Sequence, residues 1–348
     1  MKAARGKITS ARPETDNKVS GEKMGTDTEI KHRYKNHLKE INRALDKALS
    51  SNVPLIQDIG NYSLLGYGKR LRPLLFVLSC RLFDYNGDDT YRLSTIFEYI
   101  HTASLLHDDV LDNAEIRRNR PAANNIWGIH PAILEGDFLY SKASLIAVES
   151  NSIPFLKRVT ETSTRMVEGQ VLELIHTRDW KIGREDYLEI IKAKTAVLIS
   201  AACACGAIIS GGEESEEYSL AEFGMNLGIA FQLMDDLLDY TSSEEVFGKP
   251  VGKDLKEGKI TLPLIYTVSG LEKSENKRIR EVFSNESPSD EDCSDLVKLV
   301  RNSGAIDRIR NEAQSYIDEA MKCISRFPDS PVRTDLLRLG QYIIDREY

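Results

Sequence analysis

Two aspartate turns of the same pattern constrain this 348-residue chain more than any other feature: Asp108-Asp109-Val110-Leu111-Asp112 and Asp235-Asp236-Leu237-Leu238-Asp239. Each places carboxylates at i, i+1 and i+4 inside an apolar, helix-periodic stretch. On a helix, positions i and i+4 stack on one face. Like charges held that close repel, so such a turn weakens its own helix unless a cation sits between the carboxylates. Oxygen ligands of this kind suit Mg²⁺, which takes one or two carboxylates and completes its shell with water and substrate phosphate. Two such turns in one chain read as metal-binding motifs rather than as solvated acidic faces.

The rest of the chain is helix-periodic as well. From Glu29 onward Tyr34, Leu38, Ile41, Leu45 and Leu49 recur every three or four residues. Further helical stretches are expected at about 72–83, 90–112, 131–150, 153–177, 185–212, 215–241, 260–270, 291–302, 304–326 and 331–346. No series of alternating strands bounded by tight turns is present. The expected fold is therefore all-α, a single domain over 29–348. Residues 1–28 are polar and lack an apolar face, and they read as a disordered extension.

Hydrophobic residues make up 41% of the chain, enough for a large packed core. The net charge of −8 argues against a nucleic-acid partner, which needs a basic face. The five cysteines, Cys80, Cys203, Cys205, Cys293 and Cys323, match no zinc spacing and read as reduced thiols of a cytoplasmic protein. No apolar run stands at the N-terminus, so no secretory signal is expected. The uncharged run Thr195 to Gly212 reaches the length of a membrane span, but it is rich in Ala, Ser, Cys and Gly. A buried core helix is the expected reading.

Basic segments accompany the aspartates. Gly68-Lys69-Arg70-Leu71-Arg72-Pro73 combines a point charge with planar guanidinium forks that match phosphate oxygens. Pro73 suits the first turn of the following helix, which would put Lys69 and Arg72 near backbone N–H groups that favour anions. Arg117-Arg118 follows the first aspartate turn. Lys249, Lys253, Lys256 and Lys259 lie along the loop Ser242 to Lys259, whose Gly248, Pro250, Gly252 and Gly258 suggest a functional segment, often a lid. Lys194-Thr195 and Gln232 add further polar groups on helices. Carboxylates to hold a metal and cations to hold the remaining oxygens are what a Mg²⁺–diphosphate needs.

With these residues in view, the chain resembles the trans-isoprenyl diphosphate synthases. Leu106-His107-Asp108-Asp109-Val110-Leu111-Asp112 with Arg117-Arg118 is similar to their first aspartate-rich motif. Phe231-Gln232-Leu233-Met234-Asp235-Asp236-Leu237-Leu238-Asp239 is similar to their second. Gly248-Lys249-Pro250, Gly252, Asp254-Leu255, Glu257-Gly258-Lys259, Thr261-Leu262-Pro263, Gly136-Asp137-Phe138-Leu139 and Gly169-Gln170 match further segments. Tyr67 departs from the pattern, since a second glycine is common there. The resemblance implies a helical bundle around a central elongated cavity, the type I isoprenoid synthase fold. It implies that Asp108, Asp112 and Asp235 ligate Mg²⁺, with Asp109, Asp236 and Asp239 in support. Lys69, Arg72, His101 and Arg118 would bind isopentenyl diphosphate. Arg117, Lys194, Thr195, Gln232, Lys249 and Lys259 would hold an allylic diphosphate. A homodimer is implied too, and the lipid product suggests peripheral contact with a membrane.

The resemblance also makes the helix before Asp108 a ruler for product length. One turn rises about 5.4 Å, close to one isoprene unit. Ala103 and Ser104 are small where short-chain members often carry an aromatic; Ile100 and then Phe97 lie deeper, with Phe97 a candidate floor. A product of C25 or longer is expected, with C20 as the alternative. Two other readings compete. Glu98-x-x-His101 and Glu173-x-x-His176 form half of a di-iron carboxylate motif, and a terpene cyclase would ionise the same substrates without needing Lys69 and Arg72.

Overall fold

The computed structural model describes residues 27–65, 68–241, 252–271, 276–285 and 288–345. Most of the extension read at 1–28 lies outside them, as do Tyr67, Lys249 and the first part of the glycine-rich loop. The described residues fold almost wholly as helices: α1 (Asp27–Arg33), α2 (Lys35–Ala48), α3 (Pro54–Gly60), α4 (Leu71–Arg81), α5 (Thr90–Leu111), α6 (Ala123–Trp127), α7 (Ile129–Glu149), α8 (Ile153–His176), α9 (Arg184–Ile191), α10 (Val197–Ser210), α11 (Glu214–Thr241), α12 (Lys253–Lys256), α13 (Leu262–Ser269), α14 (Asn276–Phe283), α15 (Asp290–Asn302), α16 (Ala305–Ile324) and α17 (Pro331–Asp345). Each stretch expected from periodicity coincides with a helix to within a few residues. The helices that periodicity did not reveal, α3, α6, α12 and α14, have eight residues or fewer. Two turns or less cannot display a 3.6-residue repeat.

Helix α10 runs through the middle of the bundle and packs against α4, α5, α8 and α11. Leu198, Ile199, Ala201, Ala202, Cys203, Ala204, Cys205 and Ala207 are each at most 2% exposed. Small side chains let so many neighbours approach at once. The continuous rod Arg184–Ser210 is long and apolar enough to cross a membrane by length and composition, yet 67% of its apolar window is buried within this chain. It is the core helix expected from its Ala, Ser and Cys content. All five cysteines are free thiols, four of them buried.

Around this axis α5 packs on α7 and α11 on α16, so the two aspartate turns stand at the C-terminal ends of long helices in the same bundle. The sole sheet among the described residues is a two-residue antiparallel pair, Ile116–Arg117 with Arg120–Pro121. It folds the segment after the first aspartate turn back on itself. Arg118 and Asn119 at its tip take positive φ angles of 52° and 61°. Such backbone is costly for residues other than glycine and marks a segment held by its surroundings.

The rod is not a regular α-helix. Between α9 and α10 the residues Lys192–Ala196 form a π turn. A π turn inserts one residue and widens the ladder locally, a feature common at functional sites. Two glycines fit against it. A Cβ on Gly228 of α11 would stand 2.5 Å from the Cα of Ala196, and one on Gly169 of α8 would stand 2.8 Å from the backbone nitrogen of Lys194. Only glycine permits both approaches. They bring α8 and α11 onto the π turn from two sides.

Candidate active site

The π turn, both aspartate turns and the basic segments enclose one cavity of about 830 Å³. Its walls come from the N-terminal end of α4 (Lys69, Arg72), from α5 (His101, Ser104, Asp108, Asp112), from Arg117 and Arg118, from the π turn (Lys194, Thr195), and from α11 (Gln232, Asp235, Asp236, Asp239). Lys259 closes one side. Residues more than 180 positions apart thus line one space.

The first aspartate turn is met by lysines. Lys259 Nζ lies 2.7 Å from Asp112 Oδ2 and 2.7 Å from Glu257 Oε2. Lys194 Nζ is paired with Glu173 and lies 3.6 Å from Asp108 Oδ2. Burial opposes the charge of Lys259, but Glu173, Glu257 and Asp112 together raise its pKa above the ordinary lysine value. Burial raises the pKa of Asp108, with Lys194 working against it. Asp109 points elsewhere: it is 3% exposed and accepts a 2.7 Å bond from Arg117 Nε. It anchors the Arg117 segment behind the cavity rather than facing into it.

The second turn is held by neutral donors. The Tyr187 hydroxyl donates to Asp236, as does Gln232 Nε2 at 2.7 Å. Gln232 Oε1 accepts in turn from Thr195 Oγ1 at 2.9 Å, linking α11 to the π turn. Asp239 accepts from the backbone N–H groups of Lys253 and Asp254, each at 3.1 Å. Burial pushes Asp236 up to about 7, against the hydrogen bonds of Tyr187 and Gln232.

The third group is cationic. Lys69, Arg72, His101 and Arg118 line the cavity together. Burial pushes the Arg72 guanidinium down to about 10, and its Nε is buried without a hydrogen-bond partner. His101 is held well below its usual pKa by burial and then by Arg72, Arg118, Arg117 and Arg70, so its imidazole is neutral at pH 7. An orphaned guanidinium donor in a cluster of cations is a site made for an anion with several oxygens. Lys69 Nζ also reaches the Tyr342 hydroxyl of α17 at 3.1 Å.

The donor set fits a divalent metal. Asp108, Asp112 and Asp235 offer only oxygen, and two lysine ammonium groups already stand against Asp108 and Asp112 as stand-in cations. No three His, Cys, Asp or Glu side chains converge into a ready cage among the described residues. An ion held here would therefore complete its shell with other oxygens. The glutamates of the two Glu-x-x-His pairs have other partners: Glu98 is committed to Arg70, and Glu173 to Lys194. Ala103, Ile100 and Phe97 are at most 1% exposed and lie behind the cavity wall, Phe97 packing on Phe76 with ring centroids 5.3 Å apart. Ser104 alone of the four reaches the cavity.

Sequence reasoning did not single out Glu257, Tyr187 and Asp254 as site residues, and it met Glu173 only as part of the Glu-x-x-His pair. Glu257 and Asp254 lie in segments quoted above for the resemblance, whereas Tyr187 and Glu173 meet Asp236 and Lys194 only through helix packing.

The sequence model of the polyprenyl synthetase family matches residues 53–300. The chain belongs to this family. Octaprenyl diphosphate synthase of Escherichia coli strain K12 is 36% identical over 307 residues, 88% of this chain and 95% of the relative. Geranylgeranyl diphosphate synthase of Methanosarcina mazei is 35% identical over 320 residues, 90% of this chain and 97% of the relative. Among solved structures, the polyprenyl synthase of Caulobacter crescentus in complex with calcium and isoprenyl diphosphate has a TM-score of 0.87 at 35% identity, covering 92% of this chain and 98% of that one. The all-α fold is thus the isoprenoid synthase fold, and this synthase is a trans-prenyltransferase.

Proposed function

We propose that this synthase condenses isopentenyl diphosphate head-to-tail with an allylic diphosphate in a Mg²⁺-dependent reaction, and extends the product to C25 or longer. One observation carries the reading: both aspartate turns and two separate groups of cations face a single cavity. Lys194, Thr195, Gln232, Lys259 and Arg117 would hold the allylic diphosphate, while Lys69, Arg72, His101 and Arg118 hold that of isopentenyl diphosphate. Lys249, outside the described residues, would join the first group. Mg²⁺ bound by Asp108, Asp112 and Asp235 would supply charge stabilisation for the departing diphosphate.

The chain's own residues do the rest. Lys194 and Lys259 present fixed positive charge to the oxygens on which negative charge grows as the C–O bond breaks. Arg72 and His101 orient the second diphosphate so that its alkene meets the allylic carbon at close range. A neutral His101 donates one hydrogen bond to a phosphate oxygen. The final proton loss falls to the released diphosphate.

The chain-length reading draws support from Ser104, which is small where it meets the cavity, and from relatives named for long products: octaprenyl in Haemophilus influenzae and nonaprenyl in Rhodobacter capsulatus, 35% and 34% identical. The Methanosarcina relative favours C20 as the second reading. Incubating the protein with Mg²⁺, labelled isopentenyl diphosphate and farnesyl diphosphate, then sizing the dephosphorylated products, distinguishes the two. A ladder ending at C25 or beyond supports the first; a stop at C20 supports the second. The ruler is tested by Ala103→Phe, which should shorten the product.

A homodimer is part of the same proposal. Large apolar side chains stand exposed on the neighbouring helices α7 and α8, among them Leu134, Ile153, Leu174 and Ile175 at 63–74%. A surface of that kind belongs against protein. Sedimentation of the wild type and of Leu174→Asp tests it, with a shift toward monomer expected in the variant. We further propose a cytoplasmic location, in keeping with five free thiols.

A further inference from the structure

Between Lys69 and Arg72 in the basic turn stands Arg70, which lines the same cavity, is 5% exposed and has a φ of +53°. A non-glycine residue in the left-handed region is strained and persists only where its neighbours hold it. Every nitrogen of its guanidinium is engaged. Nη1 donates to Glu98 Oε1 at 2.6 Å, Nε donates to Asn42 Oδ1 at 2.9 Å, and Nη2 donates to the carbonyl of Leu64. Three of its five N–H donors are thereby held by protein acceptors, and both Arg70 and Glu98 stand in the cavity wall beside Lys69 and Arg72. Its three partners belong to three different elements: α2, the turn after α3, and α5.

Glu98 is 4% exposed and stands one helical turn before His101 on the same face of α5. Its carboxylate also favours the charged forms of Arg72 and Arg118. One ion pair thus ties the turn that carries Lys69 and Arg72 to the helix that carries His101, and supplies negative charge beneath three arginines. At this left-handed residue the guanidinium is turned back onto Asn42, Leu64 and Glu98.

We propose that the buried Arg70–Glu98 pair is the positioning element of the isopentenyl diphosphate site, setting the separation of Lys69 and Arg72 from His101. This rests on the assignment of that substrate to those residues. Lysine cannot replace Arg70, because a point charge cannot bridge three acceptors in one plane.

The test compares Arg70→Lys and Glu98→Gln with Arg72→Ala, each assayed separately for the two substrates. Both positioning variants should raise KM for isopentenyl diphosphate at least tenfold. KM for the allylic diphosphate and kcat should stay within about threefold. Calorimetric titration with isopentenyl diphosphate alone should weaken by the same factor. Asn42→Ala, which removes one of the three acceptors, should give a smaller shift in the same direction and serves if the other variants do not fold. A loss of thermal stability and kcat with both KM values unchanged would make the pair purely structural and overturn the proposal. If Arg72→Ala raised KM for the allylic substrate instead, the assignment of the site itself would fall, whatever Arg70→Lys did.

Discussion

The two aspartate turns share a sequence pattern and differ in everything around it. Asp108 and Asp112 face the ends of two long lysine side chains. Asp236 and Asp239 are held by a tyrosine, a glutamine and two backbone N–H groups. The first turn is balanced by charge on flexible stems, the second by short neutral donors fixed in packed elements. A ligand can therefore rearrange the cations at the first turn, while the second keeps its geometry. Motifs of one pattern are thus held in two different ways, by charge at the first turn and by neutral hydrogen bonds at the second.

The sharpest way to break this contrast is to remove a carboxylate from each side. Asp108→Ala and Asp235→Ala should both lower kcat by about 10³-fold or more, because several kcal/mol of charge stabilisation depends on each. A surviving Asp235→Ala enzyme would reduce the second turn to a scaffold. Next in size is Lys259→Met, for which about a 10²-fold loss in kcat/KM for the allylic substrate is expected, with little change in KM for isopentenyl diphosphate. Equal losses for both substrates would show that the lysine organises the whole cavity. Tyr187→Phe removes a fixed donor from the second turn. It should cost about 1–3 kcal/mol of stability by chemical denaturation and less than tenfold in kcat.

The smallest effect concerns a carboxylate outside both turns. Glu135 of α7 is 1% exposed, and neither oxygen has a hydrogen-bond partner. Burial pushes its pKa up to about 8. Below the ordinary glutamate range, folded and unfolded chains both hold the proton. Between that range and about 8 the unfolded chain releases it while the folded chain keeps it, so stability falls as pH rises through this window. Glu135→Gln should remove that slope and be more stable than the wild type at pH 8 than at pH 5. Parallel pH curves for the two proteins would mean that the group is solvated after all.

Much of this was legible in the sequence because it is local. The i, i+4 spacing put Asp108 with Asp112 on one face, and helical periodicity located every helix of the described residues except α3, α6, α12 and α14. The same geometry explains Asp109: one residue further along a helix turns the side chain by about 100°, away from the cavity and toward Arg117. What could not be read is pairing across elements. Lys194 meets Glu173, and Tyr187 meets Asp236, because of how helices pack. The π turn at Lys192–Ala196 has no compositional mark, and it shows only in the glycines that fit against it.

The lysine pairs bear on what the cavity declines to bind. A stray phosphate entering alone meets Lys259 already shared between two carboxylates and Lys194 already committed to Glu173. To win these lysines it must leave bare carboxylates behind. An anion that arrives together with its own countercharge faces no such penalty. The charge balance at the first aspartate turn therefore sets loose phosphate at a disadvantage against an anion that carries its own cation.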